Sequence, residues 1–177
     1  MTFHELDELY ADKEGVLGAI ERTVGPLSPV QLAYRPDADS WSVAEIVEHL
    51  AIVEPNIMKV VSSLSLKAAA SPGAGPFHVA LDDGIRTRTT GKIKTRPESA
   101  PTGKVPAAES LKALRVIQAD LVALRPRLEV LDVSSVVFPH RALGDMTLGQ
   151  WCAFIAAHEA RHLVQIQSVI SSAGFPR

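Results

Sequence analysis

From Thr147 to Ser172 one set of positions recurs every third or fourth residue: Leu148, Trp151, Ile155, His158, His162, Ile166 and Val169. At about 100° per residue these positions share one face. The pattern predicts a long helix packed into a core by that face. Two imidazoles sit on the packed side, four residues apart, which stacks them at about 5–6 Å between Cβ atoms. Burying two unpartnered imidazoles costs desolvation free energy. One metal ion shared between them removes that cost, provided facing helices complete its coordination.

The rest of the chain supplies such helices. Thr2 with Glu5, Ser42 with Glu45 and Thr147 with Gln150 read as capping boxes, with apolar staples from Met1 to Leu6, Trp41 to Ile46 and Met146 to Trp151. The first helix follows Leu6, Leu9, Tyr10, Leu17, Ile20 and Val24 and ends at Gly25-Pro26. The second runs from Ser42 to about Lys67 on Val43, Ile46, Val47, Leu50, Val53 and Ile57, with a kink expected at Pro55. The third starts near Pro106 and continues on Leu111, Leu114, Ile117, Leu121, Leu124, Leu128 and Leu131. With the last helix these make an all-α, four-helix bundle.

The connections are unequal. A turn-rich segment with Pro26, Pro29 and Pro36 joins the first two helices. Residues 68–105, rich in Pro, Gly, Ser and Thr, form a link long enough to cross the bundle end to end. The second and third helices therefore need not be antiparallel neighbours. Within the link, Ile85 to Arg96 alternates as a small ribbon would. The basic charge of 84–96 reads either as a solvated loop face or as a rim that attracts an anionic substrate.

At 177 residues the chain is expected to be a single domain, 1–177. A net charge of −2 argues against a general nucleic-acid binder, and no apolar run has membrane-spanning length. Cys152 is the only cysteine, so no intrachain disulfide forms. As a lone cysteine within the packed last helix it reads as a packing residue. The first residues are acidic, with no apolar signal region, and a cytoplasmic location is expected.

His158-Glu159-Ala160-Arg161-His162 also matches the zincin pattern, in which the Glu is a general base. Zincins usually take their third ligand from downstream, and the fifteen residues after His162 hold no His, Glu, Asp or Cys. A third ligand must come from upstream, and His49, beside the apolar stripe of the second helix, is the candidate. Alone it would read as a surface histidine; with the pair present, three nitrogens and an open position give the catalytic pattern. Zinc or nickel suits such ligands best, with manganese or iron next. A coordinated thiol would become a thiolate for attack on a small electrophile, and coordinated water would become a hydroxide for hydrolysis. A third reading is a metal-stabilised binding or scaffold protein without turnover.

Around the ligands, Glu159 reads as a proton acceptor, a group behind the ligands or a helix-surface residue. Gln165 reads as a contact to the open position, a support for the ligands or a core-edge polar residue. Arg161 either holds an anionic group or pairs with a neighbouring helix. His4, His78 and His140 have no partner at ligand spacing, although His140, just before the last helix, could line the site mouth.

Trp41 to Leu50 and Ala157 to Ile166 together resemble the DinB-like superfamily, a group of DinB/YfiT-like metalloenzymes. Pro139 to Leu148 and Arg96 to Gly103 are similar to that group as well, so the likeness covers nearly the whole chain. The resemblance implies a bundle with up-down-down-up topology and a long crossover between helices 2 and 3. It implies a divalent metal on His49, His158 and His162, and makes a homodimer an expectation. The activities it implies are thiol S-transfer from low-molecular-weight thiols to small molecules, thiol-dependent maleylpyruvate isomerisation, and metal-dependent hydrolysis.

Overall fold

The computed structural model describes residues 1–69, 77–87 and 95–177. In chain order the elements are β1 (Thr2–Phe3), α1 (Leu6–Val24), α2 (Pro29–Ala33), α3 (Val43–Ala68), β2 (Val79–Ala80), α4 (Gly84–Thr87), α5 (Ala107–Ala123), α6 (Arg125–Leu128), β3 (Val137–His140), β4 (Gly144–Thr147) and α7 (Leu148–Ile170). The four long helices α1, α3, α5 and α7 make the bundle. α1 packs on α5 and α7, and α3 packs on the same two from the opposite side.

Side-chain contacts give the directions. Tyr10 Oη donates to the Leu121 carbonyl and Arg115 pairs with Glu14 and Glu21, so α1 and α5 run antiparallel. Glu48 meets Thr102 just before α5, while Ser65 meets Arg127 just after it, so α3 and α5 run parallel. Lys13 of α1 reaches Glu159 of α7, and Gln31 beyond α1 reaches Pro176 beyond α7, so these two run the same way. The result is up-down-down-up, with the long crossover between α3 and α5.

The boxes at Ser42 and Thr147 cap α3 and α7, each with its N3 side chain bonded back. α3 runs unbroken through Pro55, at the cost of one backbone bond. The box at Thr2 does not form. Thr2–Phe3 pairs instead with Val79–Ala80, and α1 begins after Glu5, where Glu8 Oε2 accepts from the Glu5 and His4 amides. A strand pairing between distant segments has outcompeted a local cap. The third helix is also shorter than its stripe. It ends at Ala123, and α6 follows as a single turn, because Pro126 has no N–H to continue the ladder. Leu128 and Leu131 still reach the core from there.

The expected ribbon is not what the described part shows. Gly84–Thr87 is a helical turn with Ile85 buried, and the remainder up to 94 lies outside the described residues. Conversely, Ser28 and Gln31 cap the unexpected α2, and β3 and β4 form an unexpected hairpin through Gly144, whose φ of +75° favours glycine. The hairpin is tied to α7 by Trp151 Nε1, which donates to the Phe138 carbonyl at 3.0 Å. At Gly149 a Cβ would lie 2.5 Å from Val79 Cγ2, so only glycine lets α7 start this close to β2. Among the described residues no helix is long and apolar enough to cross a membrane.

Candidate metal centre

His49 reaches inward from α3, and His158 and His162 meet it from α7. The ring centroids of His49 lie 5.6 Å from His158 and 4.9 Å from His162, and those of the α7 pair lie 4.6 Å apart. One nitrogen from each ring falls within 4.8 Å of the others. His49 and His162 are buried and His158 is partly exposed, and among the described residues no fourth His, Cys, Asp or Glu joins them.

Two of the rings are oriented from behind. His49 Nδ1 lies 2.7 Å from the Ser99 carbonyl, and His162 Nδ1 lies 2.9 Å from Gln165 Oε1. An acceptor at Nδ1 places the proton there and leaves the Nε2 lone pair free. His158 differs: its Nδ1 is buried without a partner, and its Nε2 lies 3.2 Å from that of His162. Two facing ring nitrogens can share only one proton. The 3.2 Å gap is close to the edge of about 3.3 Å expected between imidazoles on a tetrahedral ion at about 2.0–2.1 Å.

Electrostatics keep the rings neutral. Burial lowers all three, His158 furthest, with His162 and His49 adding to the effect. His162 is pushed down to about 3 by burial and by His49. The Arg161 charge works in the same direction on each ring. Neutral imidazole is the form that binds metal, so the donor set fits a divalent cation.

A model of the DinB superfamily matches residues 14–166. The chain belongs to this superfamily. It is 25% identical over 144 residues to the uncharacterized protein YuaE of Bacillus subtilis, covering 81% of this chain and 85% of that one. It is 26% identical over 174 residues to the Oceanobacillus iheyensis protein named "Putative metal-dependent hydrolase OB0413", covering 97% and 89%. The solved structure of Bacillus subtilis YfiT superposes with a TM-score of 0.66 at 19% identity, over 96% of this chain and 88% of that one. That protein is described as a probable metal-dependent hydrolase with an unusual four-helix bundle topology; at this identity the likeness speaks for the fold.

Within this DinB bundle the remaining candidates separate. Gln165 stands behind His162, as its hydrogen bond shows. Glu159, adjacent to His158, turns the other way: its Oε1 accepts from Lys13 Nζ at 2.7 Å, and it is fully buried. It is not among the groups whose ligating atoms converge with the histidines. Arg161 lies close enough for its charge to act on all three rings. His140 packs 4.8 Å from Phe154, which packs 5.6 Å from His158, and burial lowers its pKa. It therefore stands one ring away from the ligands. His4 and His78 meet each other instead, at 5.3 Å. Cys152 is buried, its thiol pushed up to about 12 by that burial.

Sequence reasoning missed three groups: Glu48, Lys13 and Glu54. Lys13 and Glu54 are fully buried, 4.0 Å apart, beside Glu159. A signal for both was present. Lys13 fills the gap between Tyr10 and Leu17 in the first stripe, and Glu54 sits four residues after Leu50. Its neighbour Val53, assigned to the stripe, is only partly buried.

Proposed function

We propose that this chain is a metal-dependent enzyme in which His49, His158 and His162 hold one divalent ion and an exogenous nucleophile occupies its open side. The observation that carries this reading is the convergence of three uncharged imidazoles from two helices, two of them oriented through Nδ1, with no fourth protein ligand beside them among the described residues. When bound, such an ion supplies a Lewis acid that ionises a coordinated water or thiol near neutral pH. His49 and His162 present Nε2 to it, and the Ser99 carbonyl and Gln165 keep those rings from turning away. The uncharged ligand set leaves the ion's charge uncompensated, which favours ionisation of the nucleophile. A small-molecule substrate would approach past His140, which is partly exposed and packs on Phe154, one ring from His158.

Water as the nucleophile makes the chain a hydrolase, the activity named for OB0413 and YfiT. A second reading, thiol S-transfer to a small electrophile, is favoured by one observation. The Glu of the His-Glu-x-x-His motif is engaged by Lys13 and is not turned to the histidines. A coordinated thiol ionises on the metal and needs no such base.

The test is cobalt reconstitution of the parent and of His49→Ala, His158→Ala and His162→Ala. One cobalt ion per parent chain, lost in each folded variant, supports the centre. Thiolate charge-transfer bands on adding low-molecular-weight thiols select the transferase. Water exchange without thiol entry selects the hydrolase. A bound ion that exchanges neither makes the chain a metal-stabilised binding or scaffold protein and overturns the enzyme reading.

A further inference from the structure

The residue beside His49 grips a separate part of the chain. Glu48 is buried, 2% exposed, on α3. Its Oε1 accepts from the Thr102 amide at 3.0 Å and the Thr102 hydroxyl at 2.5 Å, and its Oε2 accepts from the Gly103 amide at 2.8 Å. Three donors on one buried carboxylate fix the path of this crossover segment. Gly103, at φ +70°, makes the turn that points its amide at Glu48. Ser99, whose carbonyl accepts from His49 Nδ1–H, closes a 3-10 turn at Pro97–Ser99. Only Ala100 and Pro101 separate it from Thr102, and the fixed φ of proline makes that a stiff connection. One turn of α3 thus holds the segment at two points, Glu48 by the carboxylate and His49 by the ring.

We propose that Glu48 is a positioning residue for the metal centre. By clamping Thr102 and Gly103 it holds the Ser99 carbonyl against His49 Nδ1, which keeps the His49 proton on Nδ1 and leaves Nε2 for the ion. Glu48 is not itself a ligand. Adjacent helical residues point about 100° apart, and both of its oxygens are occupied by the crossover. The proposal rests on the reading of the three histidines as ligands.

Two readouts test it. One is zinc affinity by chelator competition. The other is the His49 tautomer in the metal-free protein, from long-range 1H–15N NMR. In Glu48→Gln one carboxylate oxygen becomes an amide donor facing a backbone N–H. Zinc affinity is expected to fall on the order of tenfold or more, the range for groups behind metal ligands, and His49 to lose its single Nδ1–H form. Leu64→Ala, about 22 Å along α3 from His49 at 1.5 Å per residue, costs stability far from the Ser99–Gly103 segment. It should keep both readouts at the parent level, which separates positioning from general destabilisation.

A folded Glu48→Gln protein with parental affinity and an unchanged His49 tautomer overturns the proposal. If the parent binds no zinc, the reading of the centre fails, while the metal-free tautomer comparison still decides the role of Glu48. If Glu48→Gln does not fold, Thr102→Val removes one of the three bonds. It should shift the His49 signal in the same direction by less, and an unchanged signal there overturns the proposal.

Discussion

Two polar clusters share the interior of this bundle, and adjacent residues of α7 serve both. His158 belongs to the histidine trio, and Glu159 belongs to the trio with Lys13 and Glu54. The histidine trio is uncharged and has its Nδ1 atoms tied back at two of three members. The Lys13 trio is sealed on all sides. Burial pushes both of its carboxyls up, Glu54 furthest, while Lys13 pulls Glu159 back down. With Lys13 Nζ 2.7 Å from Glu159 and 4.0 Å from Glu54, the charge is expected on Glu159 and the proton on Glu54. One cluster is uncharged and presents lone pairs; the other contains its own cation and presents nothing. A buried polar group on a helix stripe is thus no site by itself. What separates the two is whether the charge is already balanced inside.

The contrast can be broken most forcefully at Lys13. Lys13→Met leaves a buried carboxylate without its partner and is expected to cost about 3–5 kcal/mol in urea unfolding, with zinc affinity of the folded fraction unchanged. A cost below about 1 kcal/mol, the scale of exposed pairs, would mean that water reaches the trio. Next in size, His158→Ala should weaken zinc binding by more than about a hundredfold, beyond the loss seen for supporting groups, while metal-free stability moves far less. Equal effects on both would erase the distinction between the clusters. Gln165→Ala frees the His162 ring and should lower zinc affinity by about tenfold in chelator competition. Unchanged affinity would show that burial alone orients His162.

The smallest effect sharpens the comparison through pH. Glu54 has a folded pKa above its ordinary value of 4.5. Its stabilising contribution is therefore complete below about pH 4.5 and is lost as pH rises through the folded value. Glu54→Gln replaces a neutral acid by a neutral amide of the same shape. Its cost is expected to be below about 1 kcal/mol at neutral pH, and the fall in stability with rising pH should flatten. A steeper fall than in the parent would place the proton elsewhere.

Much of the bundle was readable from local rules. Ser42, Thr147 and their N3 partners named two helix starts because a cap is satisfied within four residues. His158 and His162 could be paired from spacing alone, since a helix fixes where i and i+4 point. The first cap failed because Thr2 bonds to Ala80, a partner that no window around Thr2 contains. Lys13 and Glu54 were passed over because a charge on an apolar stripe reads as an interruption until its counter-charges are known to face it.

By itself, the sequence determined four amphipathic helices, a long crossover and a pair of imidazoles turned inward, all consequences of helical periodicity. Only the tertiary structure decided that His49 closes on that pair, that Glu159 turns to Lys13, and that the crossover lends His49 the Ser99 carbonyl. Each of these contacts joins residues 50 to 146 positions apart, and such distances close only when the helices pack.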